Sequence, residues 1–310
     1  MRQMGMALLA TVCMAAAAAA AEERRREDRG YPPELPGATV EVYKTIGDVK
    51  LNMYVFTPPG HQPSDKRAAV VFFFGGGWRG GSPSQFLNQC RYLASRGMVA
   101  MAADYRVLSR HGTPAVKCVA DAKSAVRWIR ANAARLGVDP DRVAAGGGSA
   151  GGHIAASTGT IDGLDEPGED LSVSSRPNAM ALFNPALVLA PVEGSPPLDE
   201  ERMAGLKERA GIDPVEISPY HHVTKGAPPA IIFHGTGDTT VPFRTAEQFA
   251  RKMIEAGNSC KLVPFEDQPH GFFNYGRGDN KPFVETMRAT DRFLAELGFL
   301  DGEPTIDRFE

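Results

Sequence analysis

The amino-acid sequence predicts an α/β fold, a mostly parallel sheet with helices on both faces, entered through an antiparallel hairpin. Three observations carry this reading. Short unbroken apolar runs alternate with longer helical patterns, glycine-rich turns join them, and the first two strand-like segments flank a tight turn. Unbroken apolar runs are what strands need when both faces of their sheet are covered.

Taken in order, residues 40–46 and 49–57 alternate around Gly47-Asp48, and Pro58-Pro59-Gly60 ends their pairing. Residues 68–74 form a buried strand, residues 86–94 a helix stopping before Gly97, and residues 98–103 a second buried strand. Residues 114–136 predict one long helix, with Pro114 at its opening and Gly137 past its end. Residues 142–145 lead into Gly146-Gly147-Gly148-Ser149-Ala150-Gly151-Gly152, and a helix follows. Further strands are expected over 179–189, 230–234 and 260–265, and further helices over 245–256 and 282–297. Residues 190–228, with prolines, acids and one short helix over 203–210, read as a surface insertion near the mouth of the site. No repeat or linker divides residues 38–300, and residues 301–310 are left as a C-terminal tail.

The chain has 310 residues and a formal net charge of −3. No basic stripe marks it for nucleic acid. Residues 1–21 read as a signal peptide: Arg2, an apolar stretch, then small residues up to Ala21 before the polar run at Glu22. Export to the periplasm or beyond follows, with a solvated arm over 22–37 and no stable membrane insertion. Cys90, Cys118 and Cys260 remain after Cys13 leaves with the leader. One disulfide between Cys90 and Cys118, or three buried thiols, both satisfy that count.

Gly147-Gly148-Ser149-Ala150-Gly151 matches G-x-S-x-G between a strand and a helix. A nucleophile on so sharp a turn needs neighbours without side chains, and the following helix aims its amides at the reacting oxygen. Asp238 follows the strand over 230–234 and His270 the strand over 260–265, so serine, acid and base arrive in the chain order of α/β-hydrolases. Ser149 is the expected nucleophile, His270 its general base and Asp238 the carboxylate that orients the imidazole. Asp267 is a rival acid; His153, His221, His222 and His234 are rival bases. In Phe74-Gly75-Gly76-Gly77-Trp78, after the strand over 68–74, the amides of Gly76 and Gly77 are expected to form an oxyanion hole with that of Ala150. Trp78 and Phe272 are expected to contact substrate, with residues 193–199 and 272–279 edging the pocket.

The glycine loop, the Gly-Gly-Ser-Ala-Gly-Gly turn, Asp238 and His270 resemble the hormone-sensitive-lipase-like branch of esterases. More closely, Phe73 to Trp78 together with Cys118-Val119-Ala120-Asp121-Ala122-Lys123-Ser124-Ala125 is similar to secreted bacterial acetylxylan and feruloyl esterases. The resemblance spans roughly residues 40–300 and implies the α/β-hydrolase fold and hydrolysis of short-chain sugar or feruloyl esters. The lipase-like branch has a histidine before its three glycines, where this chain has Phe74. Its N-terminal arm also lacks that branch's apolar cap helix.

Two glycine patterns, Gly75-x-Gly77-x-x-Gly80 and Gly146-x-Gly148-x-x-Gly151, also fit a dinucleotide loop, with Asp104 as a ribose ligand. That reading leaves the ordered Ser149, Asp238 and His270 unexplained. A serine peptidase of the prolyl-oligopeptidase-like class would share the triad, and a non-catalytic binding protein would share the fold. The mechanism calls for no metal and no organic cofactor. The expected partner is a small-molecule or oligosaccharide ester.

Overall fold

Thr39–Ile46 (β1) and Val49–Phe56 (β2) pair antiparallel around Gly47-Asp48, with Ile46 opposite Val49. The computed structural model describes residues 30–193 and 200–309, so the leader expected over 1–21 lies outside the described residues, as does most of the arm. Residues from Leu35 onward form one compact unit.

Arg67–Phe73 (β3), Val99–Ala103 (β4), Val138–Gly148 (β5), Ala179–Phe183 (β6), Ala230–Gly235 (β7) and Cys260–Phe265 (β8) complete one sheet of order β1-β2-β4-β3-β5-β6-β7-β8. From β4 to β8 every neighbouring pair is parallel, and β2 meets β4 antiparallel. This is the α/β-hydrolase architecture, antiparallel hairpin included. Side chains of β3 alternate between two cores: Val71 and Phe73 enter one, Val70 and Phe72 the other. Both faces of β3 are therefore dry, which accounts for its unbroken apolar run.

Among the described residues, Leu87–Ser95 (α1), Ala115–Ala131 (α2), Ala150–Thr160 (α3), Phe243–Glu255 (α5) and Lys281–Glu296 (α6) cover the sheet, while Glu200–Ala210 (α4) packs on α2 and the turn Pro214–Ile217. Val119 of α2, Ile154 of α3 and Phe249 of α5 pack into the first core. Leu93 of α1 and Leu294 of α6 pack into the second. The long helix expected over 114–136 breaks at Asn132, whose side-chain amide donates to the Trp128 carbonyl (2.9 Å) before a separate turn begins. The strand expected over 179–189 stops at Phe183, because Asn184 turns left-handed at φ +36°. The C-terminal tail docks: Ile306 is buried and the Phe309 ring meets Tyr92 edge-on. Among the described residues no helix is long and apolar enough to cross a membrane.

The Cys118-to-Ala125 stretch owes its pattern to charge as well as to packing. Asp121 on α2 is fully buried and accepts from Lys44 (2.7 Å) and, in a fork, from Arg106, while Glu166 pairs with both cations. The network ties the hairpin, α2 and the loop after α3 to one another. Cys90, Cys118 and Cys260 are free thiols, the first two fully buried.

Candidate active site

Ser149 occupies the turn from β5 into α3 with φ +53° and ψ −116°. A side chain held in this region costs about 1–3 kcal/mol, so the surroundings must enforce it. Ser149 N–H donates to the Phe183 carbonyl on β6 (2.9 Å), and its own carbonyl accepts from the His153 amide (2.9 Å). The flanking glycines let backbone approach backbone: a Cβ on Gly151 would stand 2.0 Å from the Phe73 carbonyl oxygen. Gly148 leaves room for the Phe273 ring, which a Cβ there would meet at 2.5 Å.

The structure brings Ser149, His270 and Asp238 together from three loops at the carboxyl ends of β5, β8 and β7. His270 Nδ1 donates to Asp238 Oδ2 (2.7 Å), which leaves Nε2 to accept from Ser149 Oγ (3.0 Å). Asp238 Oδ1 accepts the Thr240 and Val241 amides at 2.9 Å each. Burial raises the affinity of the Asp238 carboxyl for its proton. Hydrogen bonds from His234, His270 and the Val241 amide outweigh that and hold the group well below the usual carboxylate range.

Beside the serine, the loop Gly75-Gly76-Gly77-Trp78 leaves β3. The Gly75 amide is taken by Gln85 Oε1 (2.6 Å), while those of Gly76, Gly77 and Ala150 have no acceptor among the described residues. Gly76 adopts φ +125°, and a Cβ on it would strike the Gly80 carbonyl at 2.3 Å. Before the three glycines, Phe74 stacks on Tyr105 with ring centroids 4.1 Å apart, and the Tyr105 hydroxyl donates to the Phe74 carbonyl (2.6 Å). An aromatic stack and a hydroxyl thus brace the loop.

A cavity of about 150 Å³ opens at Ser149. Trp78, Ala186, Val188, Leu189 and Val241 make its walls apolar, with Arg209 and Arg244 also lining it. Trp78 therefore lies where a substrate contact was expected. Phe272 does not: it is 2% exposed and packs on Phe265, with Phe273 buried beside it, so its assignment as a substrate contact is corrected. Two adjacent phenylalanines after a glycine are equally the signal of a pocket edge and of a core, and here both rings went inward. None of residues 272–279 lines the cavity, and most of 193–199 falls outside the described residues.

The rivals take other duties. Asp267 is exposed, and only its amide is engaged, with Thr236 Oγ1 (2.8 Å). His221 and His222 bond to Ser218 Oγ and the Val215 carbonyl. His153 accepts from Trp78 Nε1 (3.1 Å) and donates to the Ile217 carbonyl (2.6 Å), and burial pushes its pKa down to about 4. His234 Nε2 lies 2.8 Å from the Val241 carbonyl and 3.3 Å from Asp238 Oδ2.

Two positioning residues escaped the sequence reading. Gln85 Nε2 donates to Asn274 Oδ1 (2.9 Å), so one side chain spans the oxyanion loop and the histidine loop. Asn184 Oδ1 accepts the Gly271 amide (3.0 Å) and anchors the chain just past His270. Asn184-Pro185 carried a turn signal that would have ended the strand there. Gln85 carried none, since its partners lie 10 and 189 residues away.

The arrangement can deprotonate a serine hydroxyl, gather a developing oxyanion on three amides and return the proton to a leaving group. Comparison with known proteins finds esterases. Residues 53–253 match the BD-FAE family. Esterase 2 of Thermogutta terrifontis, in a structure phosphonylated by sarin, is 55% identical, with a TM-score of 0.85 over 88% of this chain and 99% of that one. Its butyrate-bound structure gives 55% identity and a TM-score of 0.84 over the same shares. Esterase LipC of Mycobacterium tuberculosis is 28% identical over 68% of this chain, which spans about half of LipC's own length (54%).

Proposed function

The chain belongs to the BD-FAE family, and from that membership and the geometry of the site we propose a serine carboxylic-ester hydrolase for short acyl groups. The observation that carries the proposal is the continuous relay Ser149–His270–Asp238 beside three amides without acceptors. Ser149 Oγ attacks the ester carbonyl as His270 Nε2 takes its proton, and the oxyanion settles on the Gly76, Gly77 and Ala150 amides. Collapse expels the alcohol, protonated by His270, and leaves an acyl-serine. Water, deprotonated by the same imidazole, then releases the acid. Asp238 remains ionised throughout and steadies the imidazolium.

The acyl group is short. A cavity of about 150 Å³ is of the size that admits a benzene-sized guest, which suits acetyl to butyryl better than feruloyl. The butyrate-bound relative supports the same range, and the sarin-phosphonylated one supports a nucleophile open to phosphorus electrophiles. The leader-like residues 1–21 favour export, and with it extracytoplasmic sugar esters such as acetylated xylan.

The test is hydrolysis of p-nitrophenyl acetate, butyrate and decanoate, with an aminoacyl-p-nitroanilide beside them, by the exported protein and by Ser149→Ala. Activity that falls with acyl length and vanishes in Ser149→Ala at unchanged Tm is expected, followed by activity on acetylated xylan exceeding that on methyl ferulate. Anilide cleavage would move the assignment to a peptidase; silence on every ester would end it.

A further inference from the structure

A second cavity, of about 250 Å³, begins where the Ser149 cavity ends: Gly77, Trp78 and Arg209 line both. Resting on the esterase reading, we propose that this second cavity is an alcohol subsite for esters whose alcohol bears a carboxylate, an acid-bearing sugar or a small hydroxy acid.

Its wall is built rather than incidental. The Leu108 and Ser109 amides donate to the Trp78 and Arg79 carbonyls (3.0 and 2.8 Å), so the turn Leu108–His111 is laced to the oxyanion loop. An alcohol leaving the serine past Gly77 and Trp78 therefore enters a fixed surface.

Guanidinium groups face that surface. Its described lining residues include Arg79, Arg209, whose Nε donates to the Gly205 carbonyl (3.0 Å), and one carboxylate, Glu208. Arg79 is exposed, and its guanidinium has no hydrogen bond or ion pair among the described residues. Arg244 adds a third guanidinium at the first cavity, likewise exposed and without such a partner. It occupies the first turn of α5, where the positive end of the helix dipole disfavours a cation. Local preference broken in this way is characteristic of a functional position.

Thr113 supplies a neutral contact. It lines the second cavity with its Oγ1 buried and without a hydrogen-bond partner, an orphan that a ligand hydroxyl or carboxylate would satisfy. Arginine is the side chain suited to this task, because its planar fork matches a carboxylate with two parallel hydrogen bonds.

Two matched pairs of acetyl esters test the assignment: O-acetyllactate against O-acetyllactamide, and acetylated glucuronate against acetylated glucose. In each pair the leaving alcohol differs mainly in charge. In at least one pair the wild-type protein is expected to favour the anionic ester about tenfold in kcat/KM at low salt, through KM, with the preference shrinking as salt rises. The pair that shows it identifies the source of the carboxylate. Arg79→Gln and Arg209→Gln should each lower the anionic-to-neutral ratio about fivefold or more, and Arg79→Lys should restore part of it. A flat ratio in both pairs, or a ratio unmoved by both glutamine variants, would overturn the proposal. With Ser149-dependent p-nitrophenyl acetate hydrolysis intact, that result leaves the esterase reading standing. Loss of all ester hydrolysis would remove that reading and the proposal together.

Discussion

Asp238 has one oxygen for backbone and one for imidazole, and that division sets what its side chain does. Two amides fix Oδ1, so Oδ2 faces His270 at 2.7 Å whatever the substrate does. Because hydrogen bonds hold the carboxyl well below its usual range, it stays ionised across the pH interval in which an esterase works. Asp238→Asn keeps the shape but offers the imidazole an amide, which favours the wrong tautomer. On the proposed mechanism kcat should drop on the order of 10³- to 10⁴-fold in steady-state assays. Asp267→Asn, on the same loop as His270 but exposed and apart from it, should stay within about twofold. The opposite ranking would transfer the acid's role to Asp267. His234, 3.3 Å from Oδ2, shows why a histidine four residues before an aspartate deserved its place among the rivals. Proximity to the acid makes it a neighbour of the relay, whereas only His270 also reaches Ser149.

At the scale of elements, the nucleophile's posture is set by how closely α3 lies on β3 and β5. The whole of α3 is buried, and glycine at 147 and 151 lets its first turn rest on backbone carbonyls rather than on side chains. Gly151→Ala adds a methyl 2.0 Å from the Phe73 carbonyl and 2.4 Å from that of Phe74. The helix must lift, and with it the Ala150 amide and Ser149. Urea unfolding should show a loss of at least about 1–3 kcal/mol. Esterase turnover should fall further than that loss explains, because the oxyanion donors shift as well. If stability fell while kcat held, the tight contact would be packing without catalytic consequence. Gln85 acts between elements in the same sense. It stands in the turn before α1 yet ties two loops that face each other across the site.

For the molecule as a whole, His153 couples site geometry to pH. Its imidazole joins Trp78 of the oxyanion loop to the Ile217 carbonyl of the insertion, and it does so in the neutral form. Burial lowers its pKa from 6.5 to about 4, so between those values the unfolded chain binds a proton that the folded chain refuses. The resulting stability is complete above about pH 6.5, declines as the pH falls toward 4, and at about 1.4 kcal/mol per unit amounts to roughly 3 kcal/mol. Differential scanning calorimetry of the wild type and His153→Gln at pH 7 and 4.5 checks this. The wild type should lose more Tm between the two pH values than the variant, and equal losses would place the acid sensitivity elsewhere. Carboxylates held down by partners, Asp238 among them, add their own loss at lower pH, after the histidine window has passed.

The local code was sufficient for strand, helix and turn wherever one residue's requirement dominates. Continuous apolar runs marked β3, β4 and β7, and the glycines around Ser149 marked the elbow, because a buried strand and a left-handed serine each admit few residue types. The order Ser149, Asp238, His270 was likewise readable, since each member follows a strand and parallel strands deliver their ends to one edge of the sheet. Contacts between distant segments were not readable. Nothing near Phe272 says that its ring turns inward onto Phe265, and nothing near Gln85 names Asn274 as its partner. The same holds for Arg79 and Arg209, which share one cavity only because α4 is carried back over the oxyanion loop. Residue type and spacing determine local conformation, and with it the elements and the chain order of the chemistry. Which side chains meet across the site depends on packing in three dimensions, and only the tertiary structure decides it.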